Sequence, residues 1–198
     1  MLHNVIGNEL RREASRPAGE VEIRPCLPAD VASIQAIYAE AVATGTASFE
    51  LAAPTIDEMV LRRDRILAGG FPYLVAVEAG APTSDGGALL GYAYAGPYRP
   101  RPAYRFTVEN SIYVAPSAQG RGIGSRLMAE LIAACETIGA RQMIAVIGDS
   151  ANEASIRLHT HCGFAAAGVL KSVGFKHGRW LDSVLMQRPI GRGDAANP

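Results

Sequence analysis

A glycine-rich turn near the middle of the chain joins an apolar strand pattern to an apolar helix pattern. Residues 113–127 read YVAPSAQGRGIGSRL, with glycines at positions 120, 122 and 124. Glycine adopts backbone conformations that other residues avoid, and a turn without Cβ atoms lets a ligand approach the main chain. The N–H groups and the dipole at the start of a helix attract anions. The pattern alone fits an anion-binding turn or an ordinary tight turn.

Two common phosphate-binding turns do not match this segment. A Rossmann fingerprint needs glycine at position 125, where Ser125 stands, and a Walker A loop needs a lysine that is absent here. The pattern that fits is Q-x-x-G-x-G, from Gln119 to Gly124, between a strand and a helix. A mononucleotide-binding protein therefore stays as a rival interpretation only.

The composition predicts one globular domain. The 198 residues are 48% hydrophobic, and 19 basic residues balance 19 acidic ones, giving a net charge of zero. This balance gives no general reason to bind nucleic acid or a membrane surface. The three cysteines show no C-x-x-C spacing, and no apolar run reaches the roughly 18 residues of a membrane span. We therefore expect a cytoplasmic protein without a disulfide framework.

Strand and helix patterns alternate along the chain in the order β-α-α-β-β-β-α-β-α-β-β. This order predicts an α/β fold, with a mixed sheet flanked by helices on both faces. The segment RQMIAVIG, residues 141–148, is nearly all apolar and is expected to be buried on both faces. We divide the chain into a flexible extension (1–19), a single domain (20–188) and a flexible tail (189–198).

Several motifs together resemble the GNAT superfamily of acetyl-CoA-dependent N-acetyltransferases. Q-x-x-G-x-G after a V-x-P strand end is similar to the pyrophosphate-binding signature of that family. FTVENSIYV, IAVIGDSANEASIRLHTHCGF and GFKHGRWLDSVLMQR resemble the phosphinothricin and methionine sulfone/sulfoximine acetyltransferase group. The resemblance covers about residues 21–188. It implies a GNAT fold, in which acetyl-CoA enters a V-shaped opening between two central parallel strands.

The resemblance also implies which residues hold acetyl-CoA. The backbone of Ile112, Tyr113 and Val114 would pair with the pantetheine arm like an added strand. The N–H groups of the glycine turn would take the pyrophosphate. Asn152 matches a position near the cofactor, and it fits a helix N-cap equally well. The remaining cofactor-binding residues are Gln119, Gly120, Arg121, Gly122, Ile123, Gly124 and Ser125.

Acetyl transfer to an amine needs a base, an oxyanion donor and stabilisation of the leaving thiolate. By resemblance, Glu109 in T-V-E is the base, acting directly or through water, and the Val114 N–H is the oxyanion donor. The Val114 amide would need a strand irregularity to be unpaired. His159 would relay the proton or contact the sulfur. From the residues alone, Glu109 also fits a solvent-facing carboxylate, and His159 fits a half-buried helix histidine.

The expected substrate contacts come from three segments. Arg99, Arg101 and Tyr104 lie in the proline-stiffened loop YRPRPAYRF, which would bind a carboxylate or phosphinate or, alternatively, is a solvated basic loop. Phe49 matches an aromatic wall of the family pocket, with core packing as the alternative. Trp180, in KHGRW, matches a segment near the active site and would form a wall from the partner subunit.

These residues predict an acetyl-CoA-dependent N-acetyltransferase that acts by direct transfer, without a metal. Its substrate would be the α-amine of phosphinothricin, methionine sulfone or methionine sulfoximine, which would give antibiotic or herbicide resistance. A homodimer is expected from the resemblance. Asn110 beside Glu109 departs from the family pattern and leaves the exact amino acid open. The alternatives are a GNAT enzyme for another small amine and a non-catalytic acyl-CoA-binding module.

Overall fold

The computed structural model describes residues 20–80 and 89–197, and the predicted flexible extension 1–19 lies outside these ranges. Seven strands and four α-helices lie in the described ranges, in the predicted order. The strands are β1 (Val21–Pro25), β2 (Tyr73–Glu78), β3 (Leu89–Pro97), β4 (Thr107–Val114), β5 (Gln142–Gly148), β6 (Ala165–Lys176) and β7 (Arg179–Pro189). The helices are α1 (Val31–Thr44), α2 (Ile56–Ala68), α3 (Ile123–Thr137) and α4 (Glu153–His161).

The seven strands form one mixed sheet in the order β1-β2-β3-β4-β5-β7-β6. All neighbouring strands are antiparallel except β4 and β5, which α3 connects as a crossover. The β4–β5 pairing ends at Asn110 and Ala145. Beyond that point β4 stays paired with β3 through Val114, and β5 stays paired with β7 through Gly148. The two central strands therefore part, which confirms the predicted opening.

Helices cover both faces of the sheet, as predicted. One face carries a cluster of tyrosines, in which Tyr92 stacks on Tyr73 and Tyr113, and Tyr38 of α1 meets Tyr113 edge-on at 5.1 Å. The other face packs against α3, whose residue Leu127 is fully buried. β3 passes so close to β4 that a Cβ at Gly91 would lie 2.7 Å from the Tyr113 carbonyl oxygen. A glycine at this position lets the central strands pack under α3.

One prediction of burial and one prediction of a domain boundary need correction. Val146 of β5 is 40% exposed, because it points into the opening and so is not buried on both faces. Ile190, assigned to the flexible tail, is only 1% exposed, and its N–H donates to the Arg141 carbonyl at 2.9 Å. The packed domain therefore extends past residue 188.

Within the described ranges no helix is both long and apolar enough to span a bilayer.

Candidate active site

A cavity of about 320 Å³ lies where β4 and β5 part, and we call it the reaction cavity. β4 contributes residues 109–113 and β5 contributes residues 145–148. The α1–α2 connection closes one side with residues 47–49, and α4 closes the other side with Ser155 and His159. The cavity thus lies in the sheet where β4 and β5 part, between the helices of both faces.

Glu109 is the acidic side chain of this cavity. It is half-buried on β4, paired with Gly96 of β3 and Ile144 of β5. Its carboxylate makes no hydrogen bond or ion pair with any described residue, and burial raises its pKa above the usual value of 4.5. An unpartnered carboxylate with a raised pKa in a cavity can accept a proton from a bound amine.

His159 is buried at the other side of the reaction cavity. Its Nδ1 lies 2.8 Å from the Ser155 carbonyl oxygen, one turn earlier on α4, and its Nε2 lies 3.0 Å from Nδ2 of Asn110. Burial lowers the pKa of His159, although the hydrogen bond to Ser155 opposes this. The ring is therefore neutral, and both nitrogens are occupied. The predicted location on the cavity agrees with the structure, but the predicted proton relay lacks a free ring nitrogen.

Glu109 and His159 approach the opening from opposite faces of the sheet. Consecutive residues of a strand point to opposite sides, so Glu109 and Asn110 diverge. Asn110 contacts Met128 of α3 and His159 of α4 on one face. On the other face, Glu109 lies near Tyr94 and raises the pKa of that phenol together with burial, the larger cause. A ligand that contacts both side chains must therefore lie in the gap between β4 and β5.

The glycine turn lines a second cavity of about 440 Å³, which we call the glycine-turn cavity. Gly120 and Gly122 both have φ of 75°, and Gly122 caps the N-terminus of α3. A Cβ at either position would meet nothing within 4 Å, so conformation and not crowding selects glycine there. A Cβ at Gly124 would lie 3.1 Å from Leu158 of α4. The turn thus combines close helix packing with main-chain N–H groups at an open helix N-terminus, a suitable site for an anion.

Arg121 does not line the glycine-turn cavity, contrary to prediction. Its guanidinium forms an ion pair with Glu78 at the end of β2, 2.8 Å away. The neighbouring Arg126 donates to the Val21 carbonyl at 2.7 Å. Both arginines therefore fasten α3 to the β1–β2 edge of the sheet. The other predicted residues of the turn, from Gln119 to Ser125, line the cavity.

The main chain of β4 presents its edge to the opening. The N–H of Ala115 donates to the Leu90 carbonyl at 2.9 Å, so the preceding N–H, of Val114, points away from β3. The β3–β4 register is continuous from Pro97 to Gly91, without the irregularity that we expected. Parting of the strands, and not a bulge, leaves this amide free, and Val114 lines the glycine-turn cavity and not the reaction cavity. Asn152 also lines the opening, and its Oδ1 accepts from the Ser155 N–H at 3.2 Å as a helix cap.

Phe49 forms one wall of the reaction cavity, and two glycines make room for its ring. A Cβ at Gly148 of β5 would lie 2.9 Å from the ring, and one at Gly174 of β6 would lie 2.6 Å from Cδ2. The preceding Ser48 is held by the Tyr38 hydroxyl and by buried Lys176, which donates to its carbonyl at 2.8 Å. Sequence reasoning missed Tyr38 as a cavity residue, because a helix tyrosine carries no signal of its own.

The remaining predicted substrate residues do not line the reaction cavity of the single chain. The Arg99 guanidinium stacks over Tyr98 at 5.1 Å and Tyr104 at 5.9 Å, beside Arg101 in the loop after β3. This loop leaves the sheet next to the Glu109 end of β4, since Pro97 pairs with Val108. Trp180 is 64% exposed and packs edge-on against Phe175. Within the described ranges, no lysine or arginine lines this cavity.

Comparison with known proteins identifies the fold and the chemistry. The model of the acetyltransferase (GNAT) family matches residues 34–164. The chain belongs to the GNAT acetyltransferase family. This acetyltransferase is 56% identical over 169 residues to the phosphinothricin N-acetyltransferase of Alcaligenes faecalis, covering 85% of this chain and 82% of that protein. It is 39% identical to the L-methionine sulfoximine/L-methionine sulfone acetyltransferase of Pseudomonas aeruginosa, covering 83% and 92%.

A solved structure agrees with this assignment. The GNAT superfamily phosphinothricin acetyltransferase from Sinorhizobium meliloti, crystallised with acetyl-CoA, superposes with a TM-score of 0.83 at 48% identity. The match covers 90% of this acetyltransferase and 92% of that chain. The predicted GNAT fold and the prediction of an N-acetyltransferase are both confirmed.

Proposed function

We propose that this acetyltransferase transfers the acetyl group of acetyl-CoA to the α-amine of phosphinothricin, methionine sulfone or methionine sulfoximine. The observation that carries the proposal is Glu109, a half-buried carboxylate with a raised pKa at the point where β4 and β5 part. The names of the close relatives support this substrate class. A small cavity of about 320 Å³ suits an amino-acid analogue better than a peptide or polyamine.

Acetyl-CoA fits the two adjoining cavities. The N–H groups of the glycine turn and the N-terminus of α3 suit the pyrophosphate. The parted edge of β4, residues 112–114, offers main-chain groups to the amides of the pantetheine arm. Asn152 lines both cavities and closes the far side of the arm. The thioester then reaches the reaction cavity, where acetyl-CoA supplies the activated acetyl group.

The residues of the chain assist each stage of direct transfer. Glu109 accepts the proton of the ammonium, directly or through water, and so frees the lone pair of the amine. The Val114 N–H, which points away from β3, stabilises the oxygen of the attacked carbonyl. The C–S bond breaks as the new amide bond forms, and CoA leaves as a thiolate that takes a proton. None of the three cysteines lines the reaction cavity, and burial raises their pKa values, which favours transfer without an acyl-enzyme.

The substrate is proposed to be held by groups on the tyrosine face of the sheet. Phe49 forms the apolar wall, and Tyr94 and Ser111 offer hydroxyl groups for its polar end. Arg99 and Arg101, in the loop beside the Glu109 end of β4, supply positive charge for the carboxylate or phosphinate. In this proposal, the two guanidiniums and the Trp180 ring reach the substrate either from the same chain or from a partner chain. Acetylation would convert the basic amine of the toxic analogue into a neutral amide and so confer resistance in the cytoplasm.

A thiol-release assay with acetyl-CoA and about twenty amines tests the proposal. We expect turnover with phosphinothricin or methionine sulfone, and a fall in kcat/KM of on the order of 10²–10⁴ for Glu109→Gln. Glu130→Gln, on the exposed side of α3, is the matched control and should behave as wild type. Full activity of Glu109→Gln at neutral pH would remove Glu109 from the mechanism. Binding of acetyl-CoA without turnover of any amine would favour a non-catalytic module.

A further inference from the structure

Asn110 and His159 link β4 to α4 beside the point where the sheet opens. Asn110 is the last residue of β4 that pairs with β5, opposite Ala145. Its side chain crosses to His159 of α4, with 3.0 Å between Nδ2 and Nε2. From there on, the glycine-turn cavity lies between residues 112–114 of β4 and Leu158 of α4. The pair therefore connects the two walls of that cavity at its inner end.

The hydrogen bonds of His159 decide where its proton lies. The Ser155 carbonyl can only accept, so Nδ1, 2.8 Å away, carries the proton of the neutral ring. Nε2 is then an acceptor, and the Asn110 amide NH₂ can only donate to it. The Asn110 amide is therefore the hydrogen-bond donor of the pair, and Nε2 of His159 is the acceptor. A proton that arrived at Nε2 would meet an N–H donor and would break this hydrogen bond unless the amide turned over.

The oxygen of the Asn110 amide, Oδ1, has to be considered with this hydrogen bond. Its Oδ1 is buried and has no hydrogen-bond partner in the described part of the chain. Turning the amide over would bring Oδ1 to Nε2, but this arrangement requires a proton on Nε2. With Nδ2 toward Nε2, the amide keeps its hydrogen bond to a neutral ring and leaves Oδ1 as a buried acceptor without a described partner, at an energetic cost.

We propose that His159 is a positioning residue: its neutral ring orients Asn110 and holds β4 and α4 at the separation that the pantetheine arm requires. The inference rests on the proposed use of acetyl-CoA and deepens it. It assigns the proton of the amine to Glu109 alone, which lies on the opposite face of β4. The departure from the family pattern at position 110 thus has a structural role of its own.

Binding measurements test the link without any amine. We expect His159→Ala and Asn110→Ala each to weaken CoA binding roughly tenfold in calorimetry, and the double variant to be no weaker than either single one. His159→Gln should recover most of this loss, because its amide oxygen can accept from Asn110. His161→Gln is the matched control, on an exposed histidine two residues further along α4. Additive losses, or wild-type binding by Asn110→Ala, would contradict the proposal.

¹⁵N NMR of the His159 imidazole measures directly which ring nitrogen carries the proton. We expect the neutral ring with the proton on Nδ1 at pH 7, with and without CoA. The pH profile of kcat/KM should keep its acid limb in His159→Gln, since Glu109 and the phenols of Tyr38, Tyr94 and Tyr113 are the other titratable groups on the cavity. A charged ring at pH 7, or loss of that limb, would overturn the inference. If no amine is acetylated while binding and NMR behave as expected, the proposed function fails alone.

Discussion

If Glu109 is the base, as proposed, the charge state of this one side chain sets the pH range in which the enzyme works. Burial raises the pKa of Glu109 above 4.5, and only the ionised carboxylate can accept a proton. We therefore expect kcat/KM to fall on the acid side, with an apparent pKa above that of an exposed glutamate. A pH–rate profile from about pH 4 to 9 measures this. A profile that is flat down to pH 4 would contradict it.

The same shift makes Glu109 a stability cost at neutral pH. A carboxyl with a raised pKa binds its proton more tightly in the folded chain than in the unfolded chain, so stability falls as pH rises through that window. Glu109→Gln should raise Tm at pH 7 and lose most of this advantage at pH 4, below the ordinary pKa of 4.5, where the carboxyl is largely protonated. Thermal melting of Glu109→Gln and Glu130→Gln at the two pH values provides the comparison. An unchanged Tm difference between the two pH values would refute the assignment.

The wall of the reaction cavity depends on how the loop before α2 meets the strands β5 and β6. Phe49 lies against Gly174, where a Cβ would come within 2.6 Å of the ring. Gly174→Ala should therefore displace Phe49, destabilise the fold by about 1–3 kcal/mol and raise KM for the amine more than KM for acetyl-CoA. Chemical denaturation and steady-state kinetics measure both effects.

Gly96→Ala is the matched control for this substitution. Gly96 also lies in a strand, and a Cβ there would meet nothing within 4 Å. The double variant Gly174→Ala/Phe49→Ala should be less destabilised than the sum of its two single changes, because the clash requires the ring. Strict additivity would show that Gly174 has another role.

At the scale of the whole molecule, no described residue covers one edge of the sheet. β6 is the last strand of the sheet, and the β6–β7 pair exposes Leu170, Val173, Phe175 and Trp180 by 50–64%. A long apolar edge strand promotes association unless a partner covers it. The edge supports the proposed homodimer, and a partner chain would also explain why the single chain leaves its reaction cavity without a basic side chain.

We expect the protein to have about twice its chain mass of 20.9 kDa in light scattering. Leu170→Lys and Val173→Lys together should yield monomers, with a loss of amine affinity and little change in CoA binding. Ile138→Lys, an exposed apolar residue after α3, is the control and should remain dimeric. A wild-type mass near 20.9 kDa would contradict the dimer.

The sequence predicted the parts of this architecture that depend on neighbouring residues. Strand and helix periods predicted the order of the elements and a mixed sheet, because these follow from local patterns that one chain displays directly. The parallel pair at the centre was implied by the resemblance to GNAT acetyltransferases. The same resemblance, through the T-V-E motif, pointed to Glu109, which lines the reaction cavity.

Features that depend on distant partners could not be predicted in this way. Arg121 turns away from the glycine turn because Glu78, 43 residues earlier, lies within 2.8 Å. Lys176 supports the loop of Phe49 across 128 residues of sequence. The link from Asn110 to His159 spans 49 residues and changes the expected role of the histidine. In each case a contact across the tertiary structure decides what the side chain does.

The division of the reaction cavity between the two faces of the sheet has a consequence for how the two reactants bind. Under the proposed function, the amine would approach from the side of Glu109 and Phe49, and acetyl-CoA would lie along the glycine turn and α4. The two cavities meet at Ile112, Tyr113 and Asn152. Both reactants would then be present together before any bond changes.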